Sequence, residues 1–424
     1  MAKPDGPFVL PDIDRVEHLV ARVFERYPML RIDIDGNGVE PSNSGRTARA
    51  RPIGHVSLVK GGGTGMSAAR TPWWTWAWPL AAWLILILAA LLGTSGLITT
   101  VAGVVLIGTV FAAVHHAEVV AHRTGEPFGT LVLALAVTVI ETALIISVML
   151  AAPADNAGLA RDTVFAAVMI VCNGIVGVCL LWGGARHHEQ DFQLQGANAA
   201  LAVLAALTVL TLVLPNFTTA TPGPRFSTPQ LTFEEAVSLA LYGSFIFVQT
   251  VRHRDYFLPV AEDEAREHAL PPANKTALLS TGLLLLSLVA IVGLAKALTP
   301  TVELAITRLD LPRAVVGIII AALVLLPEGL AALRAAQANR LQTSLNLALG
   351  SSLATIGLTI PAVAAVSILL EQPLELGLAA KDEVLLAITL LVSVITLGTG
   401  RTTVLQGIVH LVIFAVFLFF AAVP

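Results

Sequence analysis

This sequence is short of charge. Aspartate, glutamate, lysine and arginine make up 13% of 424 residues, about half the share of an ordinary soluble domain. Hydrophobic residues supply 56% and the mean hydropathy is +0.80. That balance excludes a water-soluble globular protein and indicates an all-α polytopic membrane protein. Its 25 basic and 29 acidic residues leave a net charge of −4, so the basic surface of a nucleic-acid binder is missing. Cysteine is scarce too. Cys172 and Cys179 lie seven positions apart on one apparent helix, about 10 Å along its axis, too far for a disulfide. No nucleotide-binding P-loop is present, which removes ATP as the driving force. The first 71 residues hold no short apolar core with a cleavage site, so the first apolar span is expected to act as its own uncleaved signal.

Residues 1–71 read as a polar cytoplasmic arm. Val16 to Tyr27 carries apolar residues at helical spacing with charges between them and ends at Pro28, the pattern of a short amphipathic helix. Asp33 to Gly38, DIDGNG, has oxygen ligands at the first, third and fifth positions and glycine at the sixth, as in a calcium loop. Its twelfth position, however, is Ser44, where a bidentate glutamate belongs. An Asp/Asn/Gly turn is therefore the expected reading. Arg46, Arg49, Arg51, Lys60 and Arg70 follow among glycine and serine. This flexible basic linker places the N-terminus in the cytoplasm by the positive-inside rule.

From Trp73 onward eleven apolar spans follow, at roughly 73–93, 97–121, 129–151, 163–184, 196–216, 232–252, 275–297, 312–335, 341–369, 380–399 and 402–422. Trp73, Trp74, Trp76 and Trp78 open the first as an interfacial aromatic belt. A charged, proline-bearing segment, 253–274, divides the membrane region into halves, 72–252 and 275–424.

Two spans contain a carboxylate in an apolar run: Glu141 within GEPFGTLVLALAVTVIETALIISVML, and Glu328 within LPRAVVGIIIAALVLLPEGLAALRA. Either run can cross a hydrocarbon core of about 30 Å at 1.5 Å per residue. A mid-bilayer carboxylate costs at least about 2.5 kcal/mol, so a pair of them needs a use or a partner. With the first span set aside, spans two to six and seven to eleven form two sets of five. An odd number forces the second set to enter the membrane inverted. Glu141 and Glu328 then occupy the second span of their respective sets, each after a proline-containing lead-in and before a helix rich in small and polar residues. The expected architecture is one extra N-terminal helix plus two inverted five-helix repeats with a shared midplane ion site.

Four segments carry a resemblance: His115 to Glu141, Leu159 to Val171, Leu325 to Val363 and Gly398 to Ala415. Together they resemble the bacterial ChaA-type calcium/sodium–proton antiporters, a branch of the calcium:cation antiporter superfamily, over about residues 75 to 424. The resemblance implies a cation/proton antiporter of the bacterial inner membrane in which Glu141 and Glu328 face each other where the repeats cross. The Gly-Asn that often precedes the acid in the wider superfamily is replaced by Val137 and Thr138 in the first repeat, and by Val324 and Leu325 in the second.

The residues support that chemistry without the family. Hard cations such as Ca²⁺, Na⁺ or K⁺ take oxygen ligands, which two carboxylates, hydroxyls and freed carbonyls can supply. Thr138, Thr142, Asn346, Ser351 and Ser352 are the secondary candidates. Burial favours a neutral carboxylic acid and a bound cation favours the ionised one, so protons and cation compete for the same oxygens. His115, His116, Glu118 and His122, at helical spacing near the end of the second span, offer a cytoplasmic funnel for ions or protons. They also support the alternative of an intramembrane metal-dependent enzyme, although the second half has no counterpart to them. No resident cofactor and no nucleotide is expected. The partners are inorganic cations, protons and the lipid bilayer.

Overall fold

The computed structural model describes residues 72–93, 96–125, 128–150, 156–258, 272–309, 312 and 314–423. The expectations for residues 1–71, including the Asp33–Gly38 turn, fall outside the described residues, as does most of segment 253–274.

Among the described residues eleven helices follow one another: α1 Trp74–Leu92, α2 Gly96–Thr124, α3 Phe128–Met149, α4 Leu159–His187, α5 Leu194–Phe217, α6 Thr228–Arg252, α7 Asn274–Leu309, α8 Ala314–Gln337, α9 Leu341–Leu369, α10 Ala380–Leu397 and α11 Val404–Ala422. Ten are long and apolar enough to cross a membrane. The eleventh, α10, has Lys381, Asp382 and Glu383 in its first turn. The main departure from the sequence expectation is α7, which continues through Pro300 to Leu309. At about 1.5 Å per residue it outruns a core of about 30 Å. Pro79 and Pro327 likewise lie inside α1 and α8, where neighbouring helices can satisfy the freed carbonyls.

Packing follows the duplication. In the first repeat, α4 packs on α8 and on α11; in the second, the corresponding α9 packs on α3 and on α6. The fourth helices behave alike, α5 against α9 and α10 against α4. Capping boxes open the last helix of both repeats, Ser227 with Gln230 on α6 and Thr403 with Gln406 on α11. Five helices per repeat make the copies antiparallel across the bilayer, so a residue deep in one is approached from the opposite face in the other.

The third helices form the centre. Both widen into π-helical turns, at Ile170–Ile175 in α4 and Thr355–Thr359 in α9. Such turns break the i→i−4 ladder and often mark functional sites. Phe165 of α4 meets Phe417 of α11 edge to face with ring centroids 5.5 Å apart. The extra helix α1 lies on α2 and α7. Polar bonds hold it there: Trp83 Nε1 donates to the Leu286 carbonyl at 3.2 Å, and Thr109 Oγ1 to the Trp78 carbonyl at 3.3 Å. A two-residue antiparallel pairing, Gln190 with Thr402 and Asp191 with Arg401, joins the loops before α5 and α11.

Candidate functional site

Glu141 is the fourteenth residue of α3, and Glu328 the fifteenth of α8. Each therefore lies about 20 Å along its helix, entered from opposite faces. Glu141 is 1% exposed. Thr359 Oγ1, from the π turn of α9, donates to its Oε2 at 2.7 Å, and Thr355 lies against the same carboxyl. Glu328 is partly buried, with its Oε2 enclosed and without a hydrogen-bond partner among the described residues. Its helix packs on the π turn of α4, where Gly329 faces Ile175. Each acid thus belongs to a helix that packs on the π turn of the opposite repeat. Glu141 and Glu118 are both within electrostatic reach of Glu328.

The secondary candidates divide. Thr138 and Thr142 line a cleft on the flank of α3, and Thr142 Oγ1 is enclosed without a partner among the described residues. Ser351 and Ser352 also have enclosed hydroxyls without a partner among the described residues. They stand about one turn before Thr355. Asn346 is engaged elsewhere: its Nδ2 donates to the Phe257 carbonyl at 2.6 Å and its Oδ1 accepts from Gln342 Nε2 at 2.9 Å. The bond to Phe257 fastens α9 to the segment after α6, so Asn346 is engaged in holding structure.

The histidine cluster divides in the same way. His116 is buried, with Nε2 3.0 Å from the Thr75 carbonyl. The His115 ring lies 5.4 Å from that of Trp74. Both therefore pack against α1. Glu118 and His122 are exposed; Glu118 is within electrostatic reach of Arg334 as well as Glu328. Among the described residues no group of three or more His, Cys, Asp or Glu is placed to hold a metal ion.

Sequence reasoning missed Thr355 and Thr359, which are spaced four apart just before Pro361; two hydroxyls at that spacing in an apolar helix were the available signal. It also missed a buried network around Asn173 in the α4 π turn. Asn173 Nδ2 donates to Thr389 Oγ1 at 2.9 Å, and its Oδ1 lies 3.1 Å from His410 Nδ1. Since an amide oxygen only accepts, Nδ1 carries the proton; in the neutral ring Nε2 then accepts from Thr396 Oγ1 at 3.1 Å. His410 lies seven residues after its N-cap, Thr403, and Glu234 seven after Ser227. Glu234, also buried, accepts from Thr211 at 2.5 Å and from Ser238 at 2.7 Å. The last helix of each repeat therefore presents a buried ionisable side chain at the same register.

Comparison with known proteins identifies the family and the fold. The sodium/calcium exchanger protein family matches residues 83–251 and 279–423. A Sinorhizobium fredii (strain NBRC 101917 / NGR234) protein named "Putative ionic transporter y4hA" is 51% identical over 84% of this chain and 98% of its own length. The sodium-potassium/proton antiporter ChaA of Escherichia coli (strain K12) is 36% identical over 74% of this chain and 85% of its own. In fold, the chain is similar to native YfkE, with a TM-score of 0.64 at 15% identity over 82% of this chain and 100% of that one. It is also similar to the H⁺/Ca²⁺ exchanger CAX, with a TM-score of 0.63 at 16% identity over 81% and 87%. The duplicated helical fold and the extent of these matches lead to one conclusion: this chain is a multi-pass membrane antiporter belonging to the sodium/calcium exchanger protein family.

Proposed function

We propose that the protein exports Ca²⁺, Na⁺ or K⁺ in exchange for H⁺, with Glu141 and Glu328 as the groups that carry either the cation or the proton. The observation that supports this most directly is the enclosed, unpartnered Oε2 of Glu328, with Glu141 within electrostatic reach and Thr359 donating to it. Two ionised carboxylates at that depth repel each other, and the repulsion is relieved by protons or by a cation between them. Transport then requires one occupant to leave before the other binds. Coupling follows from that exclusion.

In this reading the hydroxyls of Thr355 and Thr359 complete the oxygen set from the second repeat, and the π turn of α4 supplies freed carbonyls to the Glu328 side. Glu118, in reach of Glu328, lines the approach from the end of α2. We place the chain in the bacterial inner membrane, with residues 1–71 as a cytoplasmic arm, 253–274 as a cytoplasmic linker, and halves at 72–252 and 275–424. The basic loops support that orientation.

Proton flux in everted vesicles tests the reading. Adding Ca²⁺, Na⁺ or K⁺ to vesicles with an established inward-acid gradient should release protons from the lumen, for at least one of the three. No proton movement with any of them would overturn it.

A further inference from the structure

On the side of the membrane reached by Leu150 and Pro300, α3, α7 and α9 enclose a cleft of about 860 Å³. Its walls are mainly apolar, and Leu135, Val139, Leu150 and Val292 are both exposed and part of the lining. In a bilayer the cleft therefore opens sideways to hydrocarbon, and its length from Leu135 to Leu150 is about 22 Å at 1.5 Å per residue. A hydrated cation finds few oxygens along such a path, whereas an acyl chain fits it.

One side chain on the wall breaks the pattern. Lys296, exposed on that wall, stands four residues before Pro300 on α7, near the end of the apolar run that the sequence marks at 275–297. Among the described residues, no carboxylate is within ion-pair distance of its ammonium. Ser147 and Thr299 beside it donate to the carbonyls of Ala143 and Ala295 in their own helices, and among the described residues Lys296 is the one cationic group lining the cleft. An ammonium beside an apolar, lipid-facing surface near headgroup level attracts an anion.

We propose that the cleft binds one anionic phospholipid from the adjacent leaflet, its phosphate paired with Lys296 and an acyl chain lying along Val292 and Leu135. Charge complementarity selects the headgroup, and the sideways opening selects a membrane lipid over a soluble anion. The chain of the lipid would touch Thr138 and Thr142, which flank Glu141 on α3, so occupancy would also tune exchange. That consequence rests on the antiport reading, but the binding does not.

The test is thermal unfolding of the full chain in neutral detergent, titrated with phosphatidylglycerol or phosphatidylcholine. Wild type should show a saturable rise in midpoint with phosphatidylglycerol, as expected for a ligand of the native state, and a smaller one with phosphatidylcholine. Lys296→Gln should weaken the phosphatidylglycerol response by about fivefold or more in apparent affinity, while Lys296→Arg retains it. Ala143→Trp, which fills the cleft and leaves the charge, should also abolish it. Midpoints equal to wild type without added lipid show that the variants fold. An undiminished phosphatidylglycerol response in Lys296→Gln overturns the proposal, and so does an equal response to the two lipids in wild type. Retention by Ala143→Trp overturns the placement in the cleft. Inorganic phosphate in place of lipid should give no shift. Because the readout is binding, these outcomes stand apart from any result on proton exchange.

Discussion

The hydroxyl of Thr359 donates to Glu141 Oε2 at 2.7 Å, although the two residues are 218 positions apart. One end of this bond belongs to each repeat. It fastens the acid of the first half to the π turn of the second.

Removing that hydroxyl should weaken the site. A hydrogen bond to a charged group contributes about 1.5–3 kcal/mol, equivalent to roughly ten- to a hundredfold in affinity. Thr359→Val is expected to lower apparent cation affinity by about tenfold or more, and Thr359→Ser to stay within about threefold. Cation-dependent proton release measured against cation concentration separates the two, and equal affinities in both variants would remove Thr359 from the site.

Glu141→Gln and Glu328→Gln should each abolish exchange while the protein still inserts in the membrane. The amide keeps the volume but neither takes up a proton nor pairs with a cation. The measurement is transport per inserted molecule, and near-normal exchange in either variant would take that residue out of the mechanism.

In the proposed mechanism the shared carboxylates set the pH dependence. When protons and cation occupy the same oxygens, a fall in pH loads them with protons, so apparent cation affinity falls and saturating cation largely restores the rate. The titration belongs to the coupled pair and not to either glutamate. An affinity that stays flat over about pH 6 to 9 while only the maximal rate changes would place the proton on another group.

His410 should matter for stability. Truncation to alanine leaves Asn173 Oδ1 and Thr396 Oγ1 without the ring they bond to, at a cost of about 1–3 kcal/mol for each buried group. His410→Ala should unfold at a clearly lower temperature in detergent than wild type. An unchanged midpoint would show that the network closes without the imidazole.

Deleting residues 2–60 should leave exchange intact, since that arm lies outside both repeats. A loss of calcium-dependent activation in the truncated protein would instead give the Asp33–Gly38 segment a regulatory role.

Composition and order alone determined the class, the eleven helices and the two five-helix repeats, and singled out Glu141 and Glu328 as carboxylates inside apolar runs, because each depends on a local or one-dimensional signal. Apolar runs must match the thickness of a membrane, a charge inside such a run stands out, and an odd count per repeat forces inversion. The end of α7 was not legible in this way, since its last turns extend beyond the hydrocarbon where hydropathy says nothing.

Only the tertiary structure decided which polar residues meet the acids. Thr138 and Thr142 are the sequence neighbours of Glu141, yet they line the cleft beside α7, and the bonded hydroxyl comes from Thr359 on the other repeat. Asn346 faces Phe257, and His116 is bonded to Thr75. On a helix, adjacent residues point in directions about 100° apart, so closeness in sequence does not give closeness of side chains. The π turns of α4 and α9 lie against the helices that carry Glu328 and Glu141, a placement that belongs to the folded chain. Inverted repeats bring together residues more than two hundred positions apart, and the pairing of particular side chains across them is a property of the folded chain alone.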